Sequence, residues 1–214
     1  MLPTDNWENV QRILALVLAL AVLVGASLFL THWRAQVGAE RTAVWREFAL
    51  AHGLALRERP DGFGVVGELN ASGRIGALDV ELYTYPVKFG RTKRIWVRVQ
   101  SRGPGPRGSF EVQRASWIAQ AGLLLRPERA SIDGGAFDRD FVTRSTPPSL
   151  AAEALDERAR ERFAGLTRAP RLSYSDGDCA LDWRAGAESV EQLERAVELH
   201  ALLRTSLARA SQAS

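Results

Sequence analysis

Three aspartates crowd one short stretch, Asp176, Asp178 and Asp182 in the run SDGDCALD. Carboxylates so spaced could share a hard cation or divide the roles of general acid and general base. Asp176-Gly177 is also a strong hairpin signal, and no twelve-residue calcium-loop pattern follows it. The stretch therefore reads first as a turn with polar flanks. A second acidic pair, Asp138 and Asp140, stands between Phe137 and Phe141. The two phenylalanines suit anchors in a core, and the two aspartates suit bonds to loop amides or arginines. Catalysis there would need a partnered base or nucleophile. The available bases are His32, His52 and His200, and none adjoins the one thiol, Cys179. A lone cysteine without a base is most often a buried structural residue. It also excludes an intramolecular disulfide and a multi-cysteine zinc site. Zinc-protease, serine-hydrolase and phosphate-loop motifs are absent from the sequence. No cofactor and no metal ligand set is expected.

Gly62-Phe63-Gly64-Val65-Val66-Gly67 spells G-x-G-x-x-G, with Glu81 near the distance of a ribose-binding acid. The dinucleotide motif requires a strand before it and a helix after it. Here a turn precedes it and a strand contains its valines, so these are turn and strand glycines. Lys88, Arg91, Lys93 and Arg94 place four positive charges within seven residues at a hairpin tip. Such a cluster suits anionic lipid headgroups, at roughly 1 kcal/mol per basic residue near a membrane surface, and equally suits a solvated turn. Lys88 and Lys93 are the only lysines of the chain, so 26 of its 28 basic residues are arginine. The formal charge of +3 is too small a bias for a nucleic-acid binder.

The elements that must position these groups begin with an apolar rod. After a tail at 1–12, Ile13 to Leu30 runs for 18 residues without a charge. As a helix it reaches roughly 27 Å, against a hydrocarbon thickness of roughly 30 Å. Trp7 and Trp33 flank it in the manner of interfacial anchors. A signal peptide would need a basic start and a shorter apolar run; here Asp5 and Glu8 oppose Arg12. The pattern predicts a retained transmembrane helix over 13–33, in contact with the lipid bilayer. Arg34, Arg41 and Arg46 outnumber Arg12, which places the C-terminal part in the cytoplasm of a cell whose inner membrane holds the helix. Ala15/Ala19 and Ala21/Gly25 are small residues four apart, a spacing that permits a homodimer through this helix and is also common in such helices generally.

A juxtamembrane helix is predicted over 34–53, with a bend at Gly38 and Val44, Trp45, Phe48 and Ala51 on its apolar face. Gly53 falls where a left-handed cap belongs. Period-two patterning predicts strands at Phe63–Leu69, Ala77–Tyr85, Ile95–Val99 and Phe110–Arg114, with turns at Pro60-Asp61-Gly62, Ala71-Ser72-Gly73 and Lys88–Arg91. Leu123–Leu125 reads as a short strand, and Trp117–Ala121 is open between helix and strand. One helix is expected from Ser149 to Leu166, capped by Thr146 with Pro147 first, and a hairpin around Asp176-Gly177. A last helix starts at a Ser189/Gln192 capping box and carries Leu193, Val197, His200, Leu203 and Leu207 on one face. The whole reads as α+β: an N-terminal transmembrane helix, then a domain over 54–210 with an antiparallel meander sheet and C-terminal helices on one face, and a frayed tail at 211–214.

The run IDGGAFDRDFVTRSTPPSLAAEAL, with Phe137, Asp138 and Phe141 at its centre, resembles an F-D-x-x-F-x-V element of uncharacterised bacterial single-pass membrane proteins. The sequence His52-Gly53-Leu54 and the strand glycines Gly64 and Gly67 are similar too. The likeness extends from about Trp45 to Leu207, and Gly135 stands where those proteins have an aspartate. It implies a membrane-tethered domain and supplies no catalytic residues. The expectation is a membrane-anchored binding or accessory module whose partner is a protein or anionic lipid. A tethered hydrolase using Asp138/Asp140 or Asp176/Asp178/Asp182 is the alternative.

Overall fold

The computed structural model describes residues 5–60, 66–90, 92–115, 130–132, 134–166, 170–186 and 188–213. It divides into two units, Met1–Glu40 and Arg41–Ser214. A single helix, α1 (Asp5–His52), carries most of the first unit and enters the second, with no interruption at Gly38.

From Ile13 to Leu30, within the first unit, the helix carries no charge on any side. Leu14, Leu18 and Leu23 are each about two-thirds exposed, and the most apolar part has a mean hydropathy of 2.9 with none of it buried. One N-terminal helix is thus long and apolar enough to cross a membrane.

The second unit begins with the last turns of α1. Trp45, Phe48 and Ala49 are buried, following the i, i+3, i+4 spacing of one helical stripe. Ala51, expected on that face, is exposed, because the stripe runs through Ala49 instead. Gly53 ends the helix at φ +65°, and the Leu54 amide reaches back to the Ala49 carbonyl at 2.8 Å. That left-handed cap turns the chain into the sheet.

The strands are β1 (Ala55–Pro60), β2 (Val66–Ile75), β3 (Leu78–Phe89), β4 (Thr92–Arg102), β5 (Ser109–Arg114), β6 (Phe141–Thr146), β7 (Arg171–Ser175) and β8 (Asp178–Arg184). They form one antiparallel sheet in the order β1-β2-β3-β4-β8-β7-β5-β6. Only β1 to β4 are a meander in chain order. The late β7–β8 hairpin fills the gap between β4 and β5, so the expectation of a simple meander is corrected there. The helices α2 (Ala136–Asp140), α3 (Pro148–Ala154), α4 (Glu157–Ala164) and α5 (Val190–Ala213) complete the unit.

Strand alternation divides the sheet into two faces. Val80, Leu82, Val97, Val99, Leu172, Tyr174, Cys179 and Leu181 share one core cluster with Trp45 and Phe48 of α1, Leu150 of α3, Phe163 of α4 and Leu193, Leu199 and Leu203 of α5. Asn70, Glu81, Tyr83, Tyr85, Arg98, Gln100 and Asp182 alternate with these and form the opposite, polar face.

Several expected elements differ. The turn expected at Ala71-Ser72-Gly73 lies inside β2, and the chain turns instead at Gly76, φ +60°. Strands β1 and β6 lack the alternation that would reveal them. The helix expected over Ser149–Leu166 is two helices, broken at Leu155 and restarted by Asp156, whose carboxylate accepts from the Ala159 amide at 2.9 Å. Thr146 does not cap the first of them. Pro147 is its N-cap, and Ser145 Oγ accepts from the Ala151 amide at 3.1 Å. The last helix runs to Ala213, into the tail expected to fray. The expectations for Gly62–Val65, Trp117–Ala121 and Leu123–Leu125 lie outside the described residues.

Candidate functional site

The β7–β8 hairpin separates the three aspartates rather than gathering them. Asp176 sits in its turn at φ +45° and accepts from the Gly108 amide at 2.9 Å. Asp178 opens β8 at the exposed end, where the Arg102 guanidinium holds its carboxyl below the usual range. Asp182 is buried four residues on, facing Arg98 across the β4–β8 pair. Each carboxylate has its own partners, and no group of His, Cys, Asp and Glu suited to a metal occurs among the described residues.

Asp182 instead organises the polar face of the sheet. It accepts a two-pronged contact from Arg98, Nε to Oδ1 at 2.7 Å and Nη2 to Oδ2 at 2.9 Å, and the Tyr85 hydroxyl donates to it at 2.8 Å. The Arg98 guanidinium lies 5.3 Å from the centroid of the Tyr85 ring. Burial, then the Asp182 charge, pushes the Tyr85 phenol above its ordinary value. The hydrogen bond to Asp182 is the main cause that raises Arg98. Both shifts move these groups further from titration, in the direction that favours the charged guanidinium and the protonated phenol.

One row along, a second network is equally self-satisfied. Tyr83 donates to Gln100 Oε1 at 3.2 Å, while Gln100 Nε2 and Asn70 Nδ2 donate to the two oxygens of Glu81 at 2.7 and 2.8 Å. Glu81 and Gln100 floor a hollow of about 1020 Å³ over β3, β4, β8 and β7, with Arg74, Arg98, Arg102, Asp178 and Ser173 on its lining. The face therefore presents donors and acceptors fixed by one another, with Asp182 paired to Arg98 and Glu81 held by two neutral amides.

Phe137 and Phe141 pack at 4.7 Å between centroids and meet Phe163 at 6.1 and 5.0 Å. Asp138 accepts from Ser131 Oγ at 2.7 Å, from the Ile132 amide at 3.0 Å and from the Gly134 amide at 2.8 Å, tying the loop before α2. Asp140 is exposed at the end of α2. The two aspartates do not share a ligand position.

One cluster had no sequence signal, because its members lie about a hundred residues apart. His200 of α5 is fully buried, with Nδ1 3.1 Å from Ser101 Oγ. Arg204, one turn later, donates to Ser101 Oγ at 3.1 Å, to the Ser101 carbonyl at 2.6 Å and to the Gly177 carbonyl at 2.5 Å. Burial pushes His200 down to about 3 and the neighbouring Cys179 thiol up to about 12. A serine and a histidine in contact have the composition of a nucleophile and its base, but both are buried and the serine oxygen already accepts from the arginine. The arginine fork clamps the end of β4 and the β7–β8 turn onto α5. Gly177 is needed at that turn, since a Cβ there would lie 2.5 Å from the Gly103 carbonyl at φ +96°.

The basic cluster is spread over the β3–β4 hairpin. Lys88 and Lys93 are directly opposed across the two strands and both are exposed. Arg94 is exposed and lies opposite Val87; Arg91 lies outside the described residues.

The fold and surface thus define an α+β protein with an N-terminal helix apolar enough to cross a membrane. No family model matches the chain, and no curated protein does. Among solved structures it is similar to the crystal structure of the mycobacterial trehalose monomycolate transport factor A, TtfA. The identity is 14% and the TM-score 0.49, over 79% of this chain and 94% of that one.

Proposed function

We propose that the protein is a single-pass, membrane-anchored binding or accessory module that works at the membrane surface through its α+β domain. The observation that carries this reading is α1, whose first part exposes leucine and valine on every side while Trp45 and Phe48 further along are wholly buried. An unburied apolar helix in water forfeits roughly 25 cal/mol per Å² of apolar surface, a cost that lipid removes. The hydrogen-bonded polar sheet face favours a contact surface over a hydrolase, because among the described residues neither acidic group has a histidine among its hydrogen-bond partners. Confinement to the membrane plane raises the domain's effective concentration toward other membrane-bound molecules. The arginine excess after the helix favours a cytoplasmic domain in an inner membrane. The resemblance around Phe137 and Phe141 to bacterial single-pass membrane proteins is in keeping with this reading. Alkaline carbonate extraction of membranes holding the full chain tests the anchor. The intact chain is expected in the pellet; a soluble form lacking the apolar run overturns the reading.

A further inference from the structure

The β3–β4 hairpin outruns β8. Pro86–Phe89 pair with Thr92–Ile95, whereas the β8 register stops at Trp96↔Arg184. On its β4 side the end of the hairpin is thus a ribbon that extends past β8. At its tip Lys88 and Lys93, the only lysines of the chain, are cross-strand partners. Like charges directly opposed in an antiparallel pair destabilise it. The hairpin itself offers no relief, since Tyr85 to Trp96 contains no acidic residue. Among the described residues neither lysine has an ion-pair partner. The molecule tolerates an internal repulsion that an external anion would remove.

The placement of the ribbon within the second unit says which anion. Arg46 of α1 grips Glu58 of β1 at 2.6 and 2.7 Å. Moving toward the N-terminus, Arg41 lies about 7.5 Å further along the helix axis. It pairs with the buried Glu188 at 3.1 Å, just past the end of β8. That end of β8 adjoins the ribbon, since the Ala185 amide donates to the Ile95 carbonyl at 2.9 Å. Within this unit the ribbon therefore lies toward the Arg41 end of the α1 segment. Lys88 and Lys93 alternate with the polar-face residues Val87 and Arg94, so they lie on the sheet face that packs against α1. Only ten residues, 31–40, lie between Leu30, the end of the apolar run, and Arg41.

We infer that the Lys88–Lys93 pair is a contact for the phosphate groups of anionic phospholipids in the bilayer that holds α1. The inference rests on the anchoring reading and adds a second, electrostatic hold at the membrane surface. Because the chain has two side-chain amines, both in the ribbon, amine acetylation read by mass spectrometry reports on this contact alone. Full-length protein is reconstituted in nanodiscs of phosphatidylcholine with and without phosphatidylglycerol. Acetylation of Lys88 and Lys93 is expected to be about fivefold slower in the anionic discs, the factor matching ~1 kcal/mol per residue. High salt should abolish the difference. Millimolar inorganic phosphate with phosphatidylcholine discs should leave the rates unchanged; protection there would mean a soluble-anion site and overturn the lipid assignment. Lys88→Glu supplies Lys93 with a partner inside the ribbon and should bring its ratio between discs close to one. Equal rates for the native chain in both discs overturn the inference while leaving the anchor standing. A chain that fails to enter either disc overturns the anchoring reading and this inference together.

Discussion

Two stretches of one helix, α1, obey opposite rules. Residues 13–33 are apolar on all sides, and Leu18 is 66% exposed. From Arg41 onward the helix is amphipathic: Trp45 and Phe48 are fully buried while Leu50 is 85% exposed. A helix that is apolar all round selects no particular face, which suits an apolar solvent or burial on every side. An amphipathic one is fixed by the surface it covers. Secondary structure is the same in both, and side-chain distribution alone decides what each part is for.

Truncation on the two sides puts this contrast under the most strain. Phe48→Ala should cost the domain about 3–5 kcal/mol in denaturant unfolding, the usual loss for a buried phenylalanine. Leu18→Ala should leave that transition unchanged within about 0.5 kcal/mol. Leu18→Arg should act only on the anchor, lowering the membrane-retained fraction through the roughly 2.5–3.5 kcal/mol cost of an arginine at a span centre. Next in size is the contrast between Asp182 and Asp178 in β8. Asp182→Ala leaves the partly buried Arg98 without its partner and should cost about 2–3 kcal/mol, less than the full value for a wholly buried pair. Asp178→Ala, on an exposed pair, should leave the unfolding midpoint nearly unmoved. The N-cap of α4 is smaller again: Asp156→Ala should cost about 1 kcal/mol.

His200 gives a pH test confined to the domain. Its folded-state value is depressed by burial to about 3, so the neutral ring is the folded form. The unfolded chain takes up the proton near the ordinary value of about 6.5. The associated stability is complete above that value and is lost as pH falls toward the depressed one, by up to about 1.4 kcal/mol per pH unit for one proton. Between roughly pH 6.5 and 5, before most carboxylates titrate, the native domain should lose thermal stability. His200→Gln should flatten that slope; an unchanged slope would mean that another group is responsible.

The apolar run, the class of fold, the β3–β4 hairpin, the β7–β8 hairpin and the Gly53 cap were legible because each depends on local periodicity or turn chemistry. Strand order was not: β8 lies beside β4 because of pairings between residues more than seventy apart, such as Val99 with Leu181. Strand β6 was hidden because Phe141 and Val142 are both buried, which erases alternation. Helices α3 and α4 look like one helix in the sequence because Leu155, at the break, continues the apolar stripe. The acidic run was legible as a turn, but the role of Asp182 depended on Arg98 and Tyr85, which no spacing in β8 could announce. The Ser101–His200–Arg204 clamp was invisible for the same reason. The basic tip was visible as composition; only the register shows that its two lysines face one another.

Spin labels on the two parts of α1 test the central claim most directly. Nitroxides at Leu18→Cys and Leu50→Cys are read in reconstituted vesicles, with the native Cys179 buried. The label at position 18 is predicted to collide readily with dissolved oxygen and hardly at all with a water-soluble nickel complex, and the label at position 50 to do the reverse. Free collision of the nickel complex with the label at position 18 would place that helix in water and contradict the account.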